Sequence, residues 1–244
     1  MNNKKVLEIK NLSLSYKKKK ILDNISFDIY EGEIILLSGA NGCGKSSIIS
    51  SIIRNLAYSP NISGEIIYEG IDLLKEKDIQ NFRRSIGYTK QYDNFSESTC
   101  LKEIMSSIEI ANNNMTKSEV ISMFKEYKLE NYINENPNNL SGGQKKIISV
   151  MHTLVRARSS RLFLIDEPLN NLDFNNSCLI SNMINKIHKQ YPKLSMLIVT
   201  HCHIFNIIDR EIKISNGCIE STNTDYKCYN CFGDTDENGL YKIN

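Results

Sequence analysis

The chain has 244 residues, of which 41% are hydrophobic and 24% charged. This gives enough apolar material for a real core, and the length suits one compact α/β unit with a modest subdomain. A net charge of +2 lacks the basic excess typical of nucleic-acid binders, so no nucleic-acid partner is expected.

Two short alternating segments open the chain, Val6–Ile9 and Leu12–Tyr16, and Ile25–Ile29 follows after a basic turn at Lys17–Lys20. Period-two alternation predicts antiparallel strands with one buried face. Three continuous apolar runs come next at wide intervals: Ile34–Leu37, Leu162–Ile165 and Met196–Val199. Runs without alternation fit central strands of a parallel sheet covered on both faces. Between them Ile48, Ile49, Ile52, Ile53 and Leu56 share one face of a helix starting near Lys45, and Leu179, Ile180, Met183, Ile184 and Ile187 share another. Strands alternating with helices predict a doubly wound α/β core. Residues from about Tyr92 to Asn139 carry helical patterns at Leu101–Ile108 and Lys117–Tyr127 without a strong strand, which predicts an inserted helical subdomain. From about Asn223 the chain turns polar and aperiodic, which reads as a tail.

No apolar run approaches the ~20 residues that cross a bilayer. The polar start, Met1–Lys10, does not read as a secretory signal. Cysteines at 43, 100, 178, 202, 218, 228 and 231 are scattered and odd in number, which fits free thiols in a reducing cytosol. Cys228 and Cys231 have the spacing of half a zinc site, but no second pair is nearby, so they are read as free.

Gly39-Ala40-Asn41-Gly42-Cys43-Gly44-Lys45-Ser46 matches the P-loop pattern and sits between a buried strand and a helix. Its glycines let backbone N–H groups turn inward to phosphate oxygens, and the helix start adds partial positive charge. Lys45 is expected to reach the β- and γ-phosphates and the Ser46 hydroxyl to ligate Mg²⁺. Asp166, Glu167 and Pro168 end the run Leu162–Ile165. Ligands of open α/β sheets bind at the carboxyl ends of strands, so both acids belong beside the P-loop. Asp166 suits the Mg²⁺ shell, and Glu167 can polarise an attacking water. His201 ends the run Met196–Val199 in the same way and is a candidate γ-phosphate contact.

Leu140-Ser141-Gly142-Gly143-Gln144 identifies the chain as similar to the ATP-binding cassette (ABC) ATPases, whose signature is LSGGQ. The order of motifs over about residues 6–221 agrees. The resemblance implies a P-loop NTPase core with an antiparallel β subdomain and an inserted helical subdomain. It implies one cassette over residues 1–222, helical at about 92–157, with a tail at 223–244. It makes Tyr16 the aromatic that stacks on adenine, Gln91 the Q-loop glutamine and a Mg²⁺ ligand, and Asn170–Asp173 the D-loop. Nucleotide contacts are then expected from Tyr16, Gly39, Asn41, Gly42, Cys43, Gly44, Lys45, Ser46, Ser47 and Gln91. Glu167, His201 and Lys45 would be catalytic, and Ser46, Gln91 and Asp166 would hold Mg²⁺.

Ser141, Gly142 and Gly143 precede a helical pattern and make a second N-terminal anion site. The resemblance implies that this site serves the ATP of a second cassette in a head-to-tail C₂ pair. It also implies a separate transmembrane permease, which would contact the region of Gln91–Thr99 through Tyr92 and Phe95. The function expected is ATP hydrolysis powering transport, with export as the expected direction, on the cytoplasmic face of the cell membrane. The alternative is a soluble cassette in iron–sulfur cluster assembly. Two departures stand out: Lys145–His152 replaces the family's Arg-rich stretch, and Asn170 and Asn171 replace small D-loop residues. Neither removes a catalytic group.

Overall fold

A computed structural model describes residues 4–89, 95–201 and 205–226. Two strands, β1 (Lys5–Tyr16) and β2 (Lys19–Tyr30), open it as an antiparallel pair. The two segments expected at Val6–Ile9 and Leu12–Tyr16 are one strand with a register shift between Ile9 and Leu12. Asn11 lies in that shift with φ 50°. The irregularity keeps Leu12 and Leu14 buried along with Leu7 and Ile9. β4 (Asn61–Tyr68) and β5 (Ile71–Asp72), later in the chain, complete a four-stranded sheet in the order β2-β1-β4-β5.

The second sheet contains β3 (Ile34–Ser38), β6 (Ile86–Thr89), β7 (Leu162–Asp166), β8 (Ser195–Val199), β9 (Arg210–Ser215) and β10 (Cys218–Asn223). Its order is β10-β9-β3-β8-β7-β6. All pairings are parallel except β9 with β10. Every residue of β3, β7 and β8 is buried, as continuous apolar runs predict. Alternate residues feed two cores. Ile34, Leu36, Phe163, Ile165, Met196 and Ile198 face one. Ile35, Leu37, Leu162, Leu164, Leu197 and Val199 face the other, together with the antiparallel sheet.

The helices are α1 (Lys45–Ile52), α2 (Gln80–Ser85), α3 (Cys100–Ile110), α4 (Lys117–Glu126), α5 (Gly142–Leu154) and α6 (Phe174–Gln190). α1 ends at Ile52, so Leu56, expected on its face, lies beyond it. The helical insert shares the first core: Ile104 and Ile108 of α3, Val120 and Phe124 of α4, and Ile147 and Met151 of α5 are all buried there. Asn223 closes β10 and Tyr226 still packs against that core, so the end of the last strand overlaps the start of the expected tail. No helix among the described residues is long and apolar enough to cross a membrane. The described Cys43, Cys100, Cys178 and Cys218 are free thiols.

α5 is tied to the sheet by a buried hydrogen bond of 2.7 Å from Thr89 Oγ1 to Thr153 Oγ1, and the latter donates to Ser149 O at 3.3 Å. Thr153→Val keeps the shape but leaves the Thr89 hydroxyl without this partner in an apolar setting. The expected cost is about 1–3 kcal/mol, read from urea unfolding. A midpoint equal to the parent's would show that the bond contributes nothing.

Candidate active site

The loop from Gly39 to Gly44 leaves the end of β3 and enters α1 at Lys45. No side chain caps the start of α1, so its first N–H groups are left for an anion. Gly39 has φ 137°, and a Cβ there would stand 2.1 Å from Ile214 O of β9. Only glycine lets the loop lie this close against the neighbouring strand. The buried Lys45 ammonium donates to Gly39 O at 2.8 Å and Ala40 O at 3.0 Å, so it sits inside the curl of the loop. Asn41 and Gly42 are exposed, Cys43 is buried, and Ser46 and Ser47 are half-buried.

β7 delivers the two carboxylates. Ser46 Oγ donates to Asp166 Oδ1 at 3.1 Å. Glu167 has a left-handed φ of 49°, and its N–H donates to Val199 O at 2.8 Å. Successive residues of a regular strand point to opposite faces. The left-handed turn breaks that alternation, so Asp166 reaches Ser46 while Glu167 Oε1 reaches His201 Nε2 at 3.2 Å. The same His201 nitrogen lies 3.3 Å from Lys45 Nζ. Lys45, Ser46, Asp166, Glu167 and His201 therefore form one connected cluster at the carboxyl ends of β3, β7 and β8.

Burial dominates the electrostatics of this cluster. It raises the Asp166 carboxyl above its ordinary value, opposed by the Ser46 hydrogen bond and the charges of Lys146 and Lys45. Burial also raises Glu167. Lys45 opposes it, neighbouring Asp166 adds to it, and a backbone hydrogen bond from His201 and the Lys146 charge pull the other way. His201 is pushed below its ordinary value by burial and by Lys45. Its contact with Glu167 is therefore a hydrogen bond of a neutral ring at neutral pH rather than an ion pair. Lys146 is a residue that sequence reasoning missed as a contributor. It is buried on α5 and its charge reaches both acids. A lysine at an inward position of an amphipathic helix was the available signal.

The remaining described candidates have other settings. Tyr16 ends β1, with its ring partly buried against the core that also holds Cys43. Ser141 is the N-cap of α5, in a capping box with Gln144. Ser141 and Gly142 are exposed, and a Cβ on Gly143 would stand 3.0 Å from Asn176 Nδ2. In the expected D-loop, Asp173 caps α6 by accepting from Asn176 N at 2.8 Å, a role the motif did not predict. Gln91 and Tyr92 lie outside the described residues, as do Cys228 and Cys231. Phe95 is partly buried against the helical-side core.

The family model described as ABC transporter matches residues 22–170. The chain belongs to the ABC transporter family. It is an ABC-type ATPase and an ATP-binding subunit of that family, as its motifs predict. The phosphate import ATP-binding protein PstB 2 of Bacillus licheniformis is 32% identical over 211 residues, which are 80% of this chain and 73% of the relative. PstB of Borreliella afzelii is 32% identical over 235 residues, 89% of this chain and 86% of its own. The spermidine/putrescine import ATP-binding protein PotA of Mesoplasma florum is 28% identical over 92% of this chain, which spans 63% of that relative. Among solved structures, a dimeric ATP-binding cassette in a post-hydrolysis state bound to ADP and Pi superposes with a TM-score of 0.78 at 24% identity. That match covers 91% of this chain and 99% of the other. The shared fold is the cassette fold: a P-loop α/β core, an antiparallel sheet and a helical insert.

Gly39→Ala in this cassette is expected to weaken ATP binding by about tenfold or more, because the loop must move off Ile214 and the residue must hold a strained φ. Titration with a fluorescent ATP analogue checks this. An affinity matching the parent's would remove the loop from the phosphate site.

Proposed function

We propose that this cassette hydrolyses ATP in a head-to-tail pair, on the cytoplasmic face of a membrane, to drive transport through a separate transmembrane subunit. The observation that carries the site reading is the convergence of Lys45, Ser46, Asp166, Glu167 and His201 at three adjacent strand ends. Loop N–H groups and Lys45 bind the phosphates, with Gly39, Asn41, Gly42, Cys43, Gly44, Ser46 and Ser47 forming the cradle. The Glu167 carboxylate orients a water and accepts its proton. His201, neutral at neutral pH, can donate a hydrogen bond to Glu167 or toward the terminal phosphate. Lys146 supports both acids by its charge.

The donor set also fits Mg²⁺. Ser46 Oγ and the Asp166 carboxylate are hard oxygens 3.1 Å apart, and burial opposes the charge of Asp166, an effect that a bound cation would offset. Mg²⁺ favours one or two protein oxygens completed by phosphate oxygens and water. When bound, the ion would neutralise charge building on the phosphates. Gln91 is proposed as a further ligand.

A single cassette spanning residues 1–222 is proposed, with residues 92–157 as its helical part and 223–244 as an appendage. Tyr16 is proposed to stack on the adenine. The relatives above are import proteins, which gives the expectation of export no support, and import is the direction proposed. None of them favours iron–sulfur assembly.

Tyr16→Ala should weaken ATP binding by about 1–3 kcal/mol, on the scale of base stacking elsewhere, while Tyr16→Phe stays near the parent. Equal losses in a nucleotide titration would assign the role to the hydroxyl instead. Glu167→Gln should keep ATP binding and lose ~10² to 10⁴ in turnover. Sedimentation of Glu167→Gln with MgATP should show a monomer-to-dimer shift that Ser141→Arg abolishes while ATP still binds. A Glu167→Gln protein that holds ATP yet stays monomeric at high concentration would sink the shared site.

A further inference from the structure

The start of α5 is held by more than its own capping box. The Gln144 side chain is fully engaged at both ends of its amide. Its Oε1 accepts from Ser141 N at 2.9 Å, and its Nε2 donates to Tyr132 Oη at 2.7 Å. In return Gln144 N donates to Ser141 Oγ at 3.4 Å. The Ser141 N–H can only donate, so it turns Oε1 toward itself and leaves Nε2 to donate to the phenol oxygen, which anchors the far end of the amide.

Tyr132 is itself anchored. It closes a short 3₁₀ turn, Glu130–Tyr132, and its ring packs against the helical-side core. The segment after it is fastened to the start of α3 by Leu101 N to Ile133 O at 3.0 Å and Cys100 N to Glu135 O at 2.9 Å. On the other flank Gly143 lies against Asn176 and Leu172. Tyr132, Ser141, Gln144 and Asn176 line one groove of about 490 Å³. The exposed Ser141 is thus aimed from a fixed platform that lies outside the motif.

We propose that Tyr132 is a positioning residue for the second anion site: through Gln144 it holds the Ser141 backbone and hydroxyl in the orientation that meets the nucleotide of a partner cassette. This rests on the reading of Ser141 as a group that faces a partner's ATP. Loss of the phenol oxygen frees the Gln144 amide to rotate and releases the Ser141 N–H. The P-loop of the same chain is untouched.

The test is Tyr132→Phe in the Glu167→Gln background. Hydrogen exchange at the Ser141 amide, followed by NMR, should quicken about fivefold, and ATP-driven dimerisation should weaken about fivefold, the scale of one neutral hydrogen bond. ATP affinity of the monomer should stay within about twofold. Gln144→Leu should raise Ser141 exchange similarly, and the double variant should add little, because both act through one contact. Unchanged Ser141 exchange overturns the proposal. So does unchanged dimerisation where the Glu167→Gln protein itself dimerises, or a matching loss of ATP affinity, which would mark general damage. If the Glu167→Gln protein fails to dimerise with ATP, the shared-site reading falls, and Ser141 exchange alone decides whether Tyr132 holds this residue.

Discussion

The parallel pairing of β3, β8 and β7 sets the level at which three segments leave the sheet. Leu37 and Asp166 both pair with Val199, so Ser38, Glu167 and Thr200 begin their exits side by side. The placement of the candidate cluster follows from that shared level. The loop rises from the first strand, the acids from the third, and His201 from the one between them. A one-residue slip of any strand would turn its apolar faces inside out. The burial that stabilises the sheet therefore also keeps the clustered side chains in register.

Burial then sets the chemistry. The carboxylates of Asp166 and Glu167 sit where desolvation opposes their charge, and Lys45 and Lys146 oppose that effect from two different helices. The cluster is a place of concentrated, only partly balanced charge. The start of α5, proposed as a second anion site, is built differently. It lies on an exposed helix start, held by neutral hydrogen bonds and close packing, and its charge is only the partial charge of the helix end.

Much of this was legible in the sequence because the signals were long or strongly patterned. β3, β7 and β8 are continuous apolar runs, and all are central strands. α6 carried a clean helical period. The P-loop and acidic pair were placed by the strand or helix beside them. Less was legible where tertiary context decides. β4, β6, β9 and β10 are short or mixed in character, and β10 is largely exposed, so pattern alone gave them no weight. The bulge at Asn11 made one strand look like two. Lys146 escaped notice because burial of a lysine is set by what its helix packs against. Asp173 was read only as part of a motif, whereas its local role is to cap α6.

His201 offers one nitrogen to two neighbours that ask opposite things of it. Glu167 needs Nε2 to carry a hydrogen, and the Lys45 ammonium needs it to present a lone pair. A neutral imidazole nitrogen can do only one of these at a time. The ring is therefore a two-position selector whose setting depends on what else occupies the lysine. On the proposed function, phosphate oxygens that engaged the Lys45 ammonium would end the competition and favour the tautomer that donates to the carboxylate. The pairing of acid and histidine would in that sense be conditional on what fills the loop. It comes from the valence of a single atom, with no moving part.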